Sequence, residues 1–181
     1  MPGDATFVFG IPIPSANPVF IAVVRFHILV GIICVAAGAI AMLSNKRRGR
    51  HSSFGTIYYW CLAILVTTAI GLSVVRWAEN YHLFILGALS LAAATIARTA
   101  LRHRLRNWVR LHITGMGLSY ILMLTAFYVD NGKNLPLWRN LPQIAFWLLP
   151  AALGIPLTMR ALLKHPLARR EKLAISKTRN L

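Results

Sequence analysis

The sequence predicts an all-α integral membrane protein, a polytopic bundle of five transmembrane helices with its N-terminus outside and its C-terminus inside. Of its 181 residues, 57% are hydrophobic and 13% are charged, whereas soluble domains average about 25% charged residues. The apolar residues form five runs of about 20 residues, the length that a helix needs to cross a bilayer. These two observations exclude a soluble globular protein, and the placement of the basic residues gives the orientation.

The five predicted spans cover residues 18–43, 54–75, 81–101, 109–129 and 141–163. The first has no Asp, Glu, Lys or Arg after Arg25, and basic residues follow it directly at positions 46–48. No basic residue precedes Arg25, so the start of a cleaved signal peptide is missing and we expect the first span to be retained. The fifth span contains Pro150 and Pro156, which predict a kink because proline removes a backbone donor.

The basic residues predict the orientation. Of the 20 Lys and Arg residues, 16 lie in three stretches, at positions 46–50, 98–110 and 160–179. These stretches follow the first, third and fifth spans, so a five-span chain carries all three on one side of the membrane. Cytoplasmic loops are enriched in Lys and Arg, which makes this the inner side.

The chain therefore divides into an outer N-terminal tail (residues 1–17), a five-helix transmembrane domain (18–163) and a basic cytoplasmic tail (164–181). We expect the basic tail to bind the anionic lipids of the inner leaflet. Nucleic acid is not an expected partner, because the basic residues lie between apolar runs and form neither a polar helical face nor a disordered arm.

Four histidines lie at the ends of the predicted spans, where an ionisable side chain is by default a candidate functional residue. His27 and His82 belong to the outer side, and His51 and His112 to the inner side. The helix from His27 to Leu43 is about 24 Å long at 1.5 Å per residue, so the two sides form separate pairs. The other two histidines lie among basic residues and are interpreted as solvated surface: His103 and His165.

Paired neutral imidazoles at one depth of a helix bundle are the ligands that haem b needs for its iron. Three glycines, each one turn after a histidine, offer flat surfaces for the macrocycle: Gly31, Gly55 and Gly115. Arg50 and Arg110 on the inner side are candidate partners for the haem propionates. The sequence therefore predicts haem b, held by His27 with His82 and by His51 with His112.

The same residues have a purely structural interpretation. Glycine and other small residues let transmembrane helices approach closely, and histidines at helix ends can hydrogen-bond backbone carbonyls. Cys34 and Cys61 lie inside apolar runs and predict neither a disulfide framework nor a metal site. The spans contain no carboxylate for proton transport. Ser119 near His112 lacks the nucleophile elbow and buried acid of a hydrolase.

Two groups of residues resemble motifs of a family of small bacterial membrane proteins of unknown function. The first group opens the second span: Lys46, Arg47, Arg48, Gly49, Arg50, His51, Gly55 and Tyr58. The second group opens the fourth span: Arg110, Leu111, His112, Ile113, Gly115, Ser119 and Tyr120. His27 matches a first-helix histidine of that family, while Ser52 stands where it typically has Arg. The resemblance implies a multi-pass protein of the bacterial inner membrane and carries no established activity.

Two functions follow as hypotheses. The first is b-type haem binding with electron transfer across the membrane. The second is a cofactor-free accessory or scaffold subunit, which would dock to another membrane subunit or to a second copy of itself through its small-residue faces and basic inner surface. The sequence assigns no enzymatic activity. The two functions differ in one observable, because only the first requires a chromophore.

The topology is tested by reporter fusion. We expect alkaline phosphatase fused after Leu181 to be inactive and a cytoplasmic reporter at the same position to be active, because the basic stretches hold the C-terminus inside. An active alkaline phosphatase fusion would reverse the orientation and exchange the inner and outer histidine pairs.

Overall fold

The computed structural model describes residues 6–8, 11–13, 17–45, 49–75, 77–136 and 138–166. Three predicted features lie wholly or partly outside these residues: most of the outer tail, the basic residues 46–48 of the first loop, and the basic tail from position 167 onward.

Five α-helices account for most of the described chain, which confirms the predicted fold class. They are α1 (Pro18–Leu43), α2 (Arg50–Val75), α3 (Trp77–Arg102), α4 (Trp108–Asn131) and α5 (Gln143–Lys164). All five are long and apolar enough to cross a membrane. α2 and α3 each begin four residues before the predicted span, because polar residues at a span end stay helical while lowering the local hydropathy. α5 continues through Pro150 and Pro156 as one helix.

A small antiparallel hairpin precedes α1. Its strands are β1 (Thr6–Val8) and β2 (Ile11–Ile13), and Thr6 pairs with Ile13. The sequence analysis assigned this region to the outer N-terminal tail and predicted no strands in it, because three-residue strands are too short to show a clear alternation. A 3₁₀ turn, Gly132–Asn134, follows α4.

The helices expose large apolar side chains over most of their length. Leu43 is 82% exposed, Val19 is 70% exposed and Val74 is 66% exposed. Between 11% and 33% of the most apolar stretch of each span is buried. In water this surface would be an extensive aggregation-prone patch, whereas lipid is its natural solvent. The chain thus has the properties of a multi-pass integral membrane protein.

Local signals set the start and end of α1. The side chain of Asn17 accepts hydrogen bonds from the backbone N–H groups of Val19 and Phe20, and Pro18 occupies the first helical position, where its missing donor costs nothing. At the other end Ser44 leaves the helix and its hydroxyl donates to the carbonyl of Ile40 at 2.6 Å. The helix therefore ends just before the basic loop.

The chain forms two compact units, Met1–Ile85 and Leu86–Leu181. In the first unit α1 packs against α2 through a line of small and apolar residues one turn apart. Cys34 at the centre of this line is fully buried, and its thiol donates to the carbonyl of Tyr58 at 3.7 Å. The buried residues of this interface are Val30, Cys34, Ala37 and Ala41 on α1 and Tyr58, Leu62 and Val66 on α2.

In the second unit the later part of α3 packs against α4 through small side chains. The hydroxyl of Ser90 donates to the carbonyl of Ser119 at 2.8 Å, and both serines are fully buried. α4 in turn packs closely on α5, since a Cβ added to Gly154 would clash with Ile121 Cγ1. Small residues thus bring the backbones together, as they commonly do in membranes.

The turn between α3 and α4 has an arginine at the position after a helix where glycine is usual. The N–H of Leu105 donates to the carbonyl of Ala100 at 3.2 Å, the bond that closes a Schellman motif. The residue before Leu105 then needs left-handed backbone angles, and this residue is Arg104, with φ of 50°. Glycine is usual there, and a residue with a side chain costs about 1–2 kcal/mol in this conformation. The Arg104 guanidinium lies 4.2 Å from the centre of the Trp108 ring.

Candidate histidine sites

His27 connects α1 to α2 within the first unit. Its Nδ1 lies 2.7 Å from the hydroxyl oxygen of Thr68. That hydroxyl also lies 3.0 Å and 2.9 Å from the carbonyl oxygens of Ile64 and Leu65. The single hydroxyl hydrogen of Thr68 can go to one of these carbonyls, and the Nδ1–H of His27 then donates to the Thr68 oxygen.

His51 connects the same two helices at the opposite end. Its Nδ1 lies 2.8 Å from the carbonyl oxygen of Ala41. Ala41 belongs to the last turn of α1, where carbonyls have no partner further along the helix. The imidazole of His51 therefore caps α1 from the first turn of α2. This is the carbonyl-binding role that the sequence analysis left open for histidines at helix ends.

His112 makes the equivalent connection in the second unit. Its Nδ1 lies 3.3 Å from the carbonyl oxygen of Ala97 on α3. Ala97 is fully buried, so the imidazole approaches the carbonyl at a close helix–helix contact. As with His51, the acceptor has no hydrogen to give, and the imidazole must be the donor.

The carbonyl acceptors of His51 and His112 require a proton on Nδ1, and the position of Thr68 is compatible with the same arrangement for His27. In a neutral ring with its proton on Nδ1, the lone pair is on Nε2. In metalloproteins a ligating histidine almost always donates its other ring N–H to a carbonyl, carboxylate or water, which holds the ring in place. The Nδ1 contacts of the three imidazoles are of the kind that supports a ring ligating through Nε2.

His82 differs from the other three. It lies in the first turns of α3, is half-buried, and its ring packs edge-on against Tyr81 with centroids 5.7 Å apart. His103 is exposed in the turn after α3, as expected for a solvated residue. His165 is only half-exposed, and its Nδ1 is buried with no hydrogen-bond partner among the described atoms.

The three candidate glycines have three different surroundings. A Cβ added to Gly55 would meet nothing within 4 Å, and one added to Gly31 would make ordinary contact with Leu65 at 3.5 Å. One added to Gly115 would lie 2.8 Å from both the carbonyl oxygen of Ala93 and the Cβ of Ala97. The space beside Gly115 that we assigned to a haem ring is therefore occupied by α3, and Gly115 serves helix packing.

The remaining candidates occupy the expected helix ends. Arg50 is exposed at the first position of α2, and Arg110 is half-buried in the first turn of α4. Both cysteines are free thiols, with Cys34 buried and Cys61 half-buried. Among the described residues, no three or more His, Cys, Asp or Glu side chains converge to hold a metal ion, so polydentate metal sites such as those of zinc have no candidate there.

The sequence analysis missed the acceptors of the three histidines, Thr68, Ala41 and Ala97. The first two acceptors, Thr68 and Ala41, could have been predicted from how far each residue lies from the loop between α1 and α2. His27 lies 16 residues before the end of α1 and Thr68 lies 18 residues after the start of α2. Ala41 and His51 lie two residues and one residue from the same two ends. Residues at similar distances from the loop meet at the same depth of an antiparallel helix pair.

No protein-family model, curated protein or solved structure matches this chain. The resemblance of the loop around His51 and of the start of α4 to a bacterial membrane family stays a prediction from the sequence.

The packing role of Gly115 is tested by Gly115→Ala. The added methyl group must displace the α3 backbone, so we expect the free energy of unfolding to fall by about 1–3 kcal/mol, seen as a lower unfolding temperature in detergent. Gly71→Ala is the matched control, because a Cβ at this exposed position of α2 meets nothing within 4 Å. Equal unfolding temperatures of the two variants would contradict the close contact at Gly115.

Proposed function

We propose that this chain is a b-type haem protein that transfers electrons across the membrane in which its helices lie. When bound, haem supplies a one-electron redox centre. His27 and His82, both in the first unit, are the proposed ligands on the outer side. His51 in the first unit and His112 in the second are each proposed as a haem ligand on the inner side.

One observation carries the proposal: the common hydrogen-bonding pattern of His27, His51 and His112. Each ring is held through Nδ1, at 2.7, 2.8 and 3.3 Å, by an oxygen atom on a neighbouring helix. The Nε2 lone pair is the donor atom that haem iron takes from histidine.

The space beside each of the three candidate glycines indicates which helix faces could accommodate a haem ring. The face of Gly55 is open, since nothing described lies within 4 Å of an added Cβ, and Gly55 follows His51 by one turn. The Leu65 side chain lies at contact distance from Gly31. A change of the Leu65 rotamer can open this face. The face of Gly115 is closed by backbone, so a macrocycle bound by His112 must lie against another surface.

The competing function is that of a cofactor-free scaffold subunit. Helix packing within each unit uses some of the small-residue faces on which this function depends. That interpretation needs small-residue faces for docking to a partner. The buried faces of Cys34 on α1 and of Ser90 and Ser119 on α3 and α4 are used inside the two units. The large exposed residues that remain, such as Leu43, fit a lipid environment as well as a partner helix.

The location follows the same reasoning as the orientation. The basic stretches after α1 and α3 are typical of cytoplasmic loops, and the family resemblance implies a bacterium. We therefore infer residence in the bacterial inner membrane, with the basic ends of the helices facing an anionic leaflet.

Absorption spectra of the full chain, produced with ample haem and purified in mild detergent, test the proposal. We expect a Soret band that shifts on reduction. His27→Asn keeps an amide donor near the position of Nδ1 and removes Nε2, so the haem content should fall while the unfolding temperature of the haem-free protein is retained. His27→Gln removes the Nδ1 donor as well, which should also cost about 0.6–1.7 kcal/mol of stability.

His103→Ala is the matched control, because it removes an exposed imidazole, and its haem content should equal that of the unmodified chain. Absence of a Soret band from the unmodified chain contradicts haem binding and favours the scaffold function. A full haem content in His27→Asn contradicts the role of His27 as a ligand.

A further inference from the structure

The turn between α3 and α4 concentrates positive charge. Five arginines lie within thirteen residues of sequence: Arg98, Arg102, Arg104, Arg106 and Arg110. The sequence has no Asp or Glu between Glu79 and Asp130. Asp130 lies at the other end of α4, about 33 Å away at 1.5 Å per residue. The turn itself therefore contains five positive charges and no carboxylate of its own.

The two helix ends at this turn act in opposite directions. Arg102 lies in the last turn of α3, where the helix dipole favours a basic residue, whereas the N-terminus of α4 disfavours one. The N-terminus of α4 is the positive end of its dipole, where acidic side chains are stabilising and basic ones are not. The first turn of α4 contains no acidic residue but includes Arg110. The side chain of Asn107, at the capping position, makes no capping hydrogen bond to the described backbone. An anion beside the turn would offset both the dipole and the arginines.

Arg104 is the residue whose identity the fold alone does not explain. Its φ of 50° at the end of α3 is the position that favours glycine. Glycine would relieve the backbone here, yet the position holds a long cationic side chain. An unfavourable backbone conformation of this kind points to a role for the side chain itself.

The Arg104 side chain is also held in place. Its guanidinium carbon lies 4.2 Å from the centre of the Trp108 ring, a cation–π contact that occupies one face of the group. The N–H donors of a guanidinium lie in its plane, directed away from such a contact, and they match two oxygens of a phosphate. Arg104 and Trp108 thus form a preorganised phosphate donor with an aromatic support.

The membrane determines which phosphate meets this turn. α3 and α4 both qualify as membrane spans, so their connection lies at the level of the lipid headgroups. Tryptophan is enriched at that level, and basic pockets at the ends of transmembrane helices bind anionic headgroups. We propose that the turn between α3 and α4 is a binding site for the phosphate of an anionic phospholipid, with Arg104 stacked on Trp108 at its centre. This site is independent of haem binding.

The test uses the full chain in neutral detergent with equal amounts of phosphatidylglycerol and phosphatidylcholine, and native mass spectrometry to count the retained lipids. We expect the unmodified chain to retain phosphatidylglycerol preferentially. Arg104→Gly should lower this preference about fivefold or more, the effect expected for one basic residue at an anionic surface. Its unfolding temperature without added lipid should be unchanged or higher, because glycine suits the left-handed position.

Arg104→Lys separates a built site from general electrostatic attraction. Lysine keeps the charge but lacks the planar pair of donors, so the proposal predicts a loss of preference in this variant too. Arg139→Gln, which removes an exposed charge from the loop before α5, is the matched control and should behave like the unmodified chain.

Three results would overturn the proposal. Unchanged preference in Arg104→Gly means that Arg104 does not bind lipid. A loss in Arg104→Gly with full preference in Arg104→Lys means that only the total charge of the turn matters. Displacement of the lipid by inorganic phosphate at millimolar concentration means that the turn binds free anions and not a headgroup.

Discussion

The absence of water from the bilayer core is the constraint on which the rest of this structure depends. Every polar group within the spans must find its partner in the protein. An imidazole has two ring nitrogens to satisfy, so placing one beside a lipid-exposed helix is costly. His27, His51 and His112 meet this constraint through acceptors on a neighbouring helix. These bonds connect helices and orient rings at the same time.

The two bonds of the first unit lie at opposite ends of the α1–α2 pair. From His27 to Ala41 the helix rises about 21 Å, so one bond fixes the pair near each end of its contact. Between them Cys34 and its small neighbours permit close packing. The histidines thus have a structural role whether or not they bind haem. If they do, Nε2 would bind the iron while the contact of Nδ1 holds the ring in position. A substitution that removes both nitrogens cannot separate these roles.

The sequence predicted the class, number and approximate bounds of the helices, because an apolar run of about 20 residues with few or no charges is typical of a membrane-spanning helix. It did not predict the paired strands Thr6–Val8 and Ile11–Ile13, which are too short to show an alternating pattern. Gly115 was assigned to a cofactor surface because a glycine beside a histidine leaves room equally for a ring or for a helix. Only the position of Ala93 decides between them. The left-handed backbone of Arg104 could not be predicted either, since glycine is the usual signal for it.

The tautomers of the histidine rings test the central claim most directly. In ¹⁵N-histidine-labelled protein in lipid bilayers, NMR distinguishes protonated from unprotonated ring nitrogens, and single substitutions assign the signals. The proposed haem ligation predicts neutral rings protonated at Nδ1 for His27, His51 and His112, with exposed His103 as the reference for a solvated ring. An unprotonated Nδ1 in His51 or His112 would contradict its hydrogen bond to a carbonyl. Protonation at Nε2 in any of the three would remove the lone pair that the proposed ligation requires.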